Sequence, residues 1–325
     1  MKRVGTILGA MELGRGPCTG PIPAQMISSF LSFRDDFKQI DTAYMYSDGE
    51  SETILGSMDS WKTQGTMADK INPWNGKNYK EESIREQVDT CLKRLQVDSI
   101  QLMYLHAPDH SSDLEETMRV MNQIHREGKY KELGLSNYSS WEVARCVEIC
   151  RKHDWLQPTV YQGMYSALTR VVEDELFPCL RHYGISFYAY SPLAGGLLTG
   201  KYKYEQEKDK SISTGRFNGV GWDKVYKDRY WKKEHFEEME KLKVLLTETY
   251  PEEQVSIPEA AYRWLYNHSK LSGEHGDCVV LGASRLEQLN MNMELSQKPA
   301  LEKPVVEFFN NWWNSTKQFC PKYFR

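Results

Sequence analysis

No apolar run in this chain of 325 residues approaches the roughly 20 residues that a membrane-crossing helix requires. The opening MKRVGTILGAMELG has two basic residues, but its apolar stretch meets Glu12 too soon for a secretion signal, so a cytoplasmic protein is expected. A dominant charge is also missing. Forty-one Lys and Arg against 45 Asp and Glu give a net charge of −4, which argues against nucleic acid or an anionic membrane as the main partner. The seven cysteines are odd in number and scattered, with no C-x-x-C, so reduced thiols are expected in place of a disulfide framework. Cys146 and Cys150, four apart on an expected helix, read as two small buried side chains and not as a metal or redox pair. No G-x-G-x-x-G follows a strand-like run, which leaves a Rossmann nucleotide site without support. Gly195 to Lys201 fits G-x-x-x-x-G-K, but Tyr202 stands where a P-loop needs Ser or Thr for its metal ion.

What is present is a globular composition, 40% hydrophobic and 26% charged, and an alternation of strand-like and helix-like stretches along the chain. Extended runs are expected at Thr6–Ala10, Phe37–Thr42, Thr66–Ile71, Ile100–His106, Glu132–Ser136, Thr159–Gln162, Ile185–Tyr190 and Cys278–Leu281. Between them lie amphipathic stretches such as Glu81–Leu95, where Ile84, Val88, Cys91, Leu92 and Leu95 recur at helical spacing. The run from 173 to 183 reads as a helix broken or bent at Pro178. Eight strand–helix units imply parallel strands with right-handed crossovers, hence an α/β fold of the (β/α)8 or TIM barrel type, one domain over residues 1–325. Two parts fall outside the repeat: a long loop after the seventh strand, from Gly195 to Trp231, and an extra C-terminal helix from Pro304 to Lys317.

Active sites of such barrels form where the strands end. Here the expected strand ends are polar: Asp41-Thr42, Asp69-Lys70, His106, Ser136-Asn137, Gln162 and Tyr190-Ser191, with Gly282 and Ser284 after the eighth strand. Asp41 and Lys70, on neighbouring strands, suit a buried ion pair, and Tyr46 follows five residues after Asp41. A tyrosine ordinarily titrates near pH 10, and a nearby ammonium favours its phenolate. Tyr46 is therefore placed to donate a proton to a carbonyl oxygen while His106 orients that oxygen, with no metal required. Taken singly, each residue also fits a structural ion pair, a buried histidine or a loop aromatic.

These residues resemble the aldo-keto reductase family. The order Ile40-Asp41-Thr42-Ala43, Tyr46, Lys70 and Leu105-His106 is similar to that family's Asp, Tyr, Lys, His tetrad. TAYMYSDGESETILG, INPWNGK, LHAPDH, LGLSNYSSWEVA, TVYQGMY, SPLAGGLLTGKYKY and PKYFR resemble the aflatoxin-aldehyde and succinic-semialdehyde reductase branch. One departure is Ala68-Asp69 before Lys70, where a small hydroxylic residue is common.

The resemblance implies reduction of aldehydes by NADPH, with Tyr46 as proton donor, Asp41 and Lys70 tuning it and His106 positioning the substrate. It implies that Ser136, Asn137 and Gln162 hold the nicotinamide amide, with Asp41 beside it, and that Tyr190 stacks on the ring. Ser191, Pro192, Leu193, Gly195 and Lys201 would wrap the pyrophosphate together with Arg216. Ser284 suits a helix cap, and a helix N-terminus receives phosphate readily. Arg285 would add charge for a 2′-phosphate, while Gln288 and Asn292, four apart, would meet the adenine or simply form a solvated helix face. Met45, Trp74, Tyr226, Arg229 and Arg325 match positions that line the substrate pocket beside His106. Two arginines suit a carboxylate-bearing aldehyde such as succinic semialdehyde. A homodimer is implied as well. The family also contains potassium-channel β subunits, which share the tetrad and the cofactor site, so a regulatory binding role is the alternative.

Overall fold

The structure, a computed structural model, describes residues 2–33, 37–208, 217 and 223–325. Eight parallel strands close on themselves in sequence order: β1 (Gly5–Gly9), β2 (Gln39–Asp41), β3 (Thr66–Ile71), β4 (Ile100–Leu105), β5 (Tyr130–Ser136), β6 (Pro158–Met164), β7 (Ser186–Tyr190) and β8 (Cys278–Gly282). This is the expected (β/α)8 barrel. Its interior is filled by Ile7, Ala68, Leu102, Tyr104, Val160, Tyr188, Cys278 and Val280, while the outward faces pack under the helices. The Tyr104 ring fills the barrel axis so closely that a side chain begun at Gly134 would stand 2.3 Å from it.

Strand alternation positions the site. Side chains along a strand point alternately inward and outward. Counting two residues on from the interior set, and along the register Lys70–Tyr104 and Ser136–Gln162, places Asp41, Lys70, His106, Ser136, Gln162 and Tyr190 at the inner rim where the strands end. The six residues come from six successive strands.

Local chemistry explains several helix boundaries. Ser139 starts the helix Ser140–His153, its amide and hydroxyl donating to the Glu142 carboxylate at 2.8 and 2.6 Å. Cys146 and Cys150 face the core from that helix, and burial pushes the Cys150 thiol up to about 12. Pro178 does not break its helix. It is the third residue of Leu176–Tyr183, within the first turn, where an amide hydrogen would lack a partner anyway. The interruption lies earlier, after the 3-10 turn Val171–Glu173.

One long helix was not expected from the sequence, Lys233–Thr249. Its charges mask a stripe of Phe236, Met239, Leu242 and Leu246, all buried. It packs with the C-terminal helix Lys303–Thr316, where the Trp312 indole donates to His235 Nδ1 at 3.0 Å. Among the described residues no helix is long and apolar enough to cross a membrane.

Candidate active site

At the centre of the rim, Lys70 is fully buried and donates to Asp41 Oδ1 and, at 2.6 Å, to the Thr42 carbonyl. Gln162 Nε2 donates to the other Asp41 oxygen at 2.8 Å. Burial alone would drive the lysine towards neutrality, but Asp41, through its charge and its hydrogen bond, and Tyr46 offset it and raise the ammonium above its ordinary value. The result is a lysine that favours its charged form beneath Tyr46.

Tyr46 leans over that cation. The Lys70 ammonium lies 5.1 Å from the centre of the Tyr46 ring, and the His106 ring stands edge-on to the tyrosine at 5.9 Å. The turn that aims Tyr46 is unusual: Ser47 and Asp48, next in the chain, both adopt left-handed backbone, with φ of 51° and 54°. Ser47 is pinned there by donating to the Leu13 carbonyl at 2.7 Å. Non-glycine residues in this region cost about 1 kcal/mol or more each, a strain that such sites hold in place with surrounding contacts.

His106 is kept neutral. Its enclosed position, then the positive charges of Lys70 and Arg325, hold the imidazole well below its ordinary value. Nδ1 has no hydrogen-bond partner among the described residues. Trp74 closes one side of the ring at 5.1 Å, and its indole donates to Met45 Sδ at 2.8 Å. The Arg325 guanidinium lies 5.3 Å from the Trp74 ring centre, so the last residue of the chain reaches the same place.

Beside this cluster, Asn137 has φ 61° and links three strand ends. Its Nδ2 donates to the His106 carbonyl at 2.9 Å and to Ser136 Oγ at 3.0 Å, while its Oδ1 accepts from the Tyr190 hydroxyl at 2.8 Å. Burial lifts the Tyr190 phenol to about 12, so it remains a donor. Arg229, Tyr226, Arg325 and Tyr46 all act electrostatically on that hydroxyl. Arg229 lies over the Tyr226 ring at 5.8 Å and donates to Met164 Sδ at 3.8 Å.

The loop after β7 turns sharply at Ser191 (φ 56°), with Pro192 buried and Leu193 half-buried, and again at Gly195 (φ 68°) and Gly196 (φ 101°). The Ser191 hydroxyl is 3.5 Å from the Tyr226 hydroxyl. Lys201 is exposed with its ammonium over Tyr202, and Arg216 lies outside the described residues. After β8, Arg285 and not Ser284 occupies the cap position of the helix Leu286–Ser296. Ser284 instead donates through its hydroxyl to Gln288 Oε1 at 3.1 Å, because its backbone lies one residue too early to cap. Asn292 is buried and donates to the Gly282 carbonyl at 3.3 Å, so of the pair only Gln288 is on the exposed face.

The residues present fit a bound dinucleotide. Side chains begun at Gly196, in the loop after β7, or at Gly282, the end of β8, would meet nothing within 4 Å, so there is open space at both positions. The helix Leu286–Ser296 begins just after β8 with no side-chain cap and an exposed Arg285, an N-terminus suited to phosphate. A separate cavity of about 250 Å³ opens between the loops after β4 and β5, and none of the expected site residues lines it.

The sequence pointed to Arg325 but not to the anchor that holds it. Tyr323 is buried, donates to Glu175 at 2.5 Å and accepts from the Ser140 amide at 3.0 Å. The only sequence signal was the cluster of aromatic and basic residues in PKYFR.

Comparison with known proteins points to one family. The pattern described as Aldo/keto reductase family matches residues 7–310. The chain is 50% identical to Aflatoxin B1 aldehyde reductase member 2 of Homo sapiens, covering 99% of this chain and 90% of that protein. It is 51% identical to the human Aflatoxin B1 aldehyde reductase member 4, over 99% of this chain and 97% of the relative. Aldo-keto reductase family 7 member A3 of Homo sapiens is 48% identical, over 99% and 98%.

Proposed function

The chain belongs to the aldo/keto reductase family, and from that premise we propose that it reduces aldehydes to alcohols with NADPH, Tyr46 serving as the proton donor. The observation that carries this is the buried Lys70–Asp41 pair beneath Tyr46, with neutral His106 across the cleft.

When bound, the dinucleotide supplies a hydride to the carbonyl carbon. Ser136, Asn137 and Gln162 would hold its nicotinamide amide with Asp41 alongside, and Tyr190 would face the ring. Ser191, Pro192, Leu193, Gly195, Lys201 and Arg216 would take the pyrophosphate. Ser284, Arg285, Gln288 and Asn292 would serve the adenosine end, with Arg285 favouring a 2′-phosphate and hence NADPH over NADH.

His106 donates a hydrogen bond to the carbonyl oxygen and fixes its direction, which a neutral imidazole does without competing for the proton. Tyr46 then transfers its proton to that oxygen. The Lys70 ammonium stabilises the phenolate left behind, and Asp41 and the Thr42 carbonyl keep the ammonium in place. Met45, Trp74 and Tyr226 shield the reacting carbon from water, and Arg229 and Arg325 receive a carboxylate at the far end of the substrate. The preferred class is therefore a short aldehyde with a carboxylate. The resemblance to the relatives extends the proposal to a cytoplasmic homodimer, which the mass of the purified protein in solution checks.

Turnover tests the reading. Purified protein should oxidise NADPH with succinic semialdehyde or 2-carboxybenzaldehyde, and less well with neutral aldehydes or with NADH. No turnover across a panel of aldehydes and ketones would overturn it. Capture of a membrane channel with negligible turnover would favour the potassium-channel β-subunit alternative.

A further inference from the structure

Asp69 departs from the resemblance, and the structure gives it a setting of its own. Because strand residues alternate, Lys70 points into the barrel and Asp69 points out, beneath the helices Glu50–Gly56 and Glu81–Leu95. There Asp69, Glu52 and Cys91 are all fully buried, and a carboxylate oxygen from each acid and Cys91 Sγ lie within 4.8 Å of one another. Arg94 Nη1 donates to Glu52 Oε2 at 2.8 Å and to the Tyr44 carbonyl at 3.0 Å. Among the described residues, that leaves Glu52 Oε1 and Asp69 Oδ2 buried without a conventional donor. Two ionised carboxylates facing each other in a dry pocket with one guanidinium repel, and a single shared proton removes the repulsion and supplies the missing donor.

The proton belongs on Asp69, since Glu52 already has Arg94. Burial and then Glu52 push the Asp69 carboxyl well above its ordinary range, while the Lys70 contacts oppose this. Burial likewise keeps the Cys91 thiol protonated. The cluster is thus better suited to a proton than to a metal ion, which would require both the Cys91 thiol and Asp69 to give up theirs.

The other Asp69 oxygen reaches the active-site strand. Oδ1 accepts from the Lys70 backbone amide at 2.8 Å. In a parallel ladder that amide would turn to the neighbouring strand, but β2 stops at Asp41 and the Thr42 carbonyl receives the Lys70 ammonium. The Lys70 carbonyl accepts from the Tyr44 amide at 3.0 Å, and Tyr44 is held in turn by Arg94, 4.8 Å from its ring centre. We infer that Asp69 is a neutral carboxylic acid bonded to Glu52, and that it is the positioning residue that fixes the Lys70 backbone and the loop carrying Tyr46. The positioning half rests on the function proposed for Lys70; the protonation half does not.

Asp69→Asn and Asp69→Ala separate the two halves. An amide accepts from the Lys70 N–H and donates to Glu52 just as a protonated acid does. The full-length wild type and Asp69→Asn are melted from about pH 5 to about pH 8, above the ordinary aspartate value and within the range a raised carboxyl would span. A group neutral when folded and ionised when unfolded costs stability as pH rises through this window. The melting temperature of Asp69→Asn should therefore gain on the wild type with increasing pH, by up to about tenfold in the unfolding equilibrium per pH unit. A gap that stays constant means an ionised Asp69 and overturns the proton. So does a stoichiometric metal ion in the wild type that Asp69→Asn lacks.

For positioning, Asp69→Asn should keep kcat within about twofold, and Asp69→Ala should lower kcat at least about tenfold with KM little changed, since it orphans a buried amide next to the lysine. Wild-type kcat in Asp69→Ala, or equal loss in both variants, overturns it. Should the alanine variant fail to fold, the infrared carbonyl band of a protonated carboxyl, present in the wild type and lost in Asp69→Asn, decides the protonation, and a kcat of Asp69→Asn about tenfold or more below the wild type overturns the positioning. A wild type without turnover would refute the proposed function while leaving the pH-dependent gap readable.

Discussion

The backbone amide of Arg325, the last residue, donates to the carbonyl of Asn137 at 3.0 Å. The same Asn137 links His106, Ser136 and Tyr190 through its side chain, so the chain terminus is fastened to the hub of the strand-end cluster. With Tyr323 anchored to Glu175 and Ser140, the guanidinium is held over the Trp74 ring, which in turn stands against His106. Deleting Arg325 should raise KM for carboxylated aldehydes about tenfold or more, the scale of a charge-assisted hydrogen bond, and change KM for neutral aldehydes far less. Equal effects on both would remove the carboxylate assignment.

His106 should not titrate where a free histidine does. Burial, Lys70 and Arg325 depress it in the folded chain, whereas the unfolded chain takes a proton near pH 6.5. Below that pH the unfolded state binds a proton that the folded state refuses, so stability declines on acidification and the His106 share of it is intact above about pH 6.5. A ring titration followed by NMR should find His106 still neutral at about pH 6. A midpoint near the free-histidine value would contradict the neutral hydrogen-bond donor.

Gly195 and Gly196 should respond differently to alanine. Both have positive φ, so both substitutions strain the backbone. Only at Gly195 would the new methyl also meet a neighbour, the Tyr226 ring, at 2.4 Å, whereas at Gly196 it meets nothing within 4 Å. Gly195→Ala should therefore raise KM for the aldehyde several-fold beyond any change in Gly196→Ala. Matching kinetics in the two variants would show that the approach to Tyr226 does not shape the pocket.

Much of this was legible because a strand's period is two and its ends carry function. Once the ends of β2 to β7 are located, Asp41, Lys70, His106, Ser136, Gln162 and Tyr190 fall on one rim whatever the family. Lys233–Thr249 escaped notice because its apolar stripe is interleaved with Lys and Glu and lies in the long connection between β7 and β8. The cap position of Arg285 depends on a one-residue difference in backbone that Ser284 and Arg285 do not encode in their side chains. The Gln162 bond to Asp41 and the Glu52–Asp69 cluster join residues 121 and 17 apart in the chain, the first a contact across the closed barrel and the second one made when the helix Glu50–Gly56 packs over β3.

Tyr46→Phe tests the central claim most directly. The variant keeps the ring over Lys70 and removes only the hydroxyl. It should bind NADPH as the wild type does, measured by quenching of protein fluorescence, while kcat with succinic semialdehyde falls by about 100-fold to 10,000-fold, the range for loss of a positioned acid. Turnover within a few-fold of wild type would show that the proton reaches the carbonyl oxygen from another group and would contradict the account.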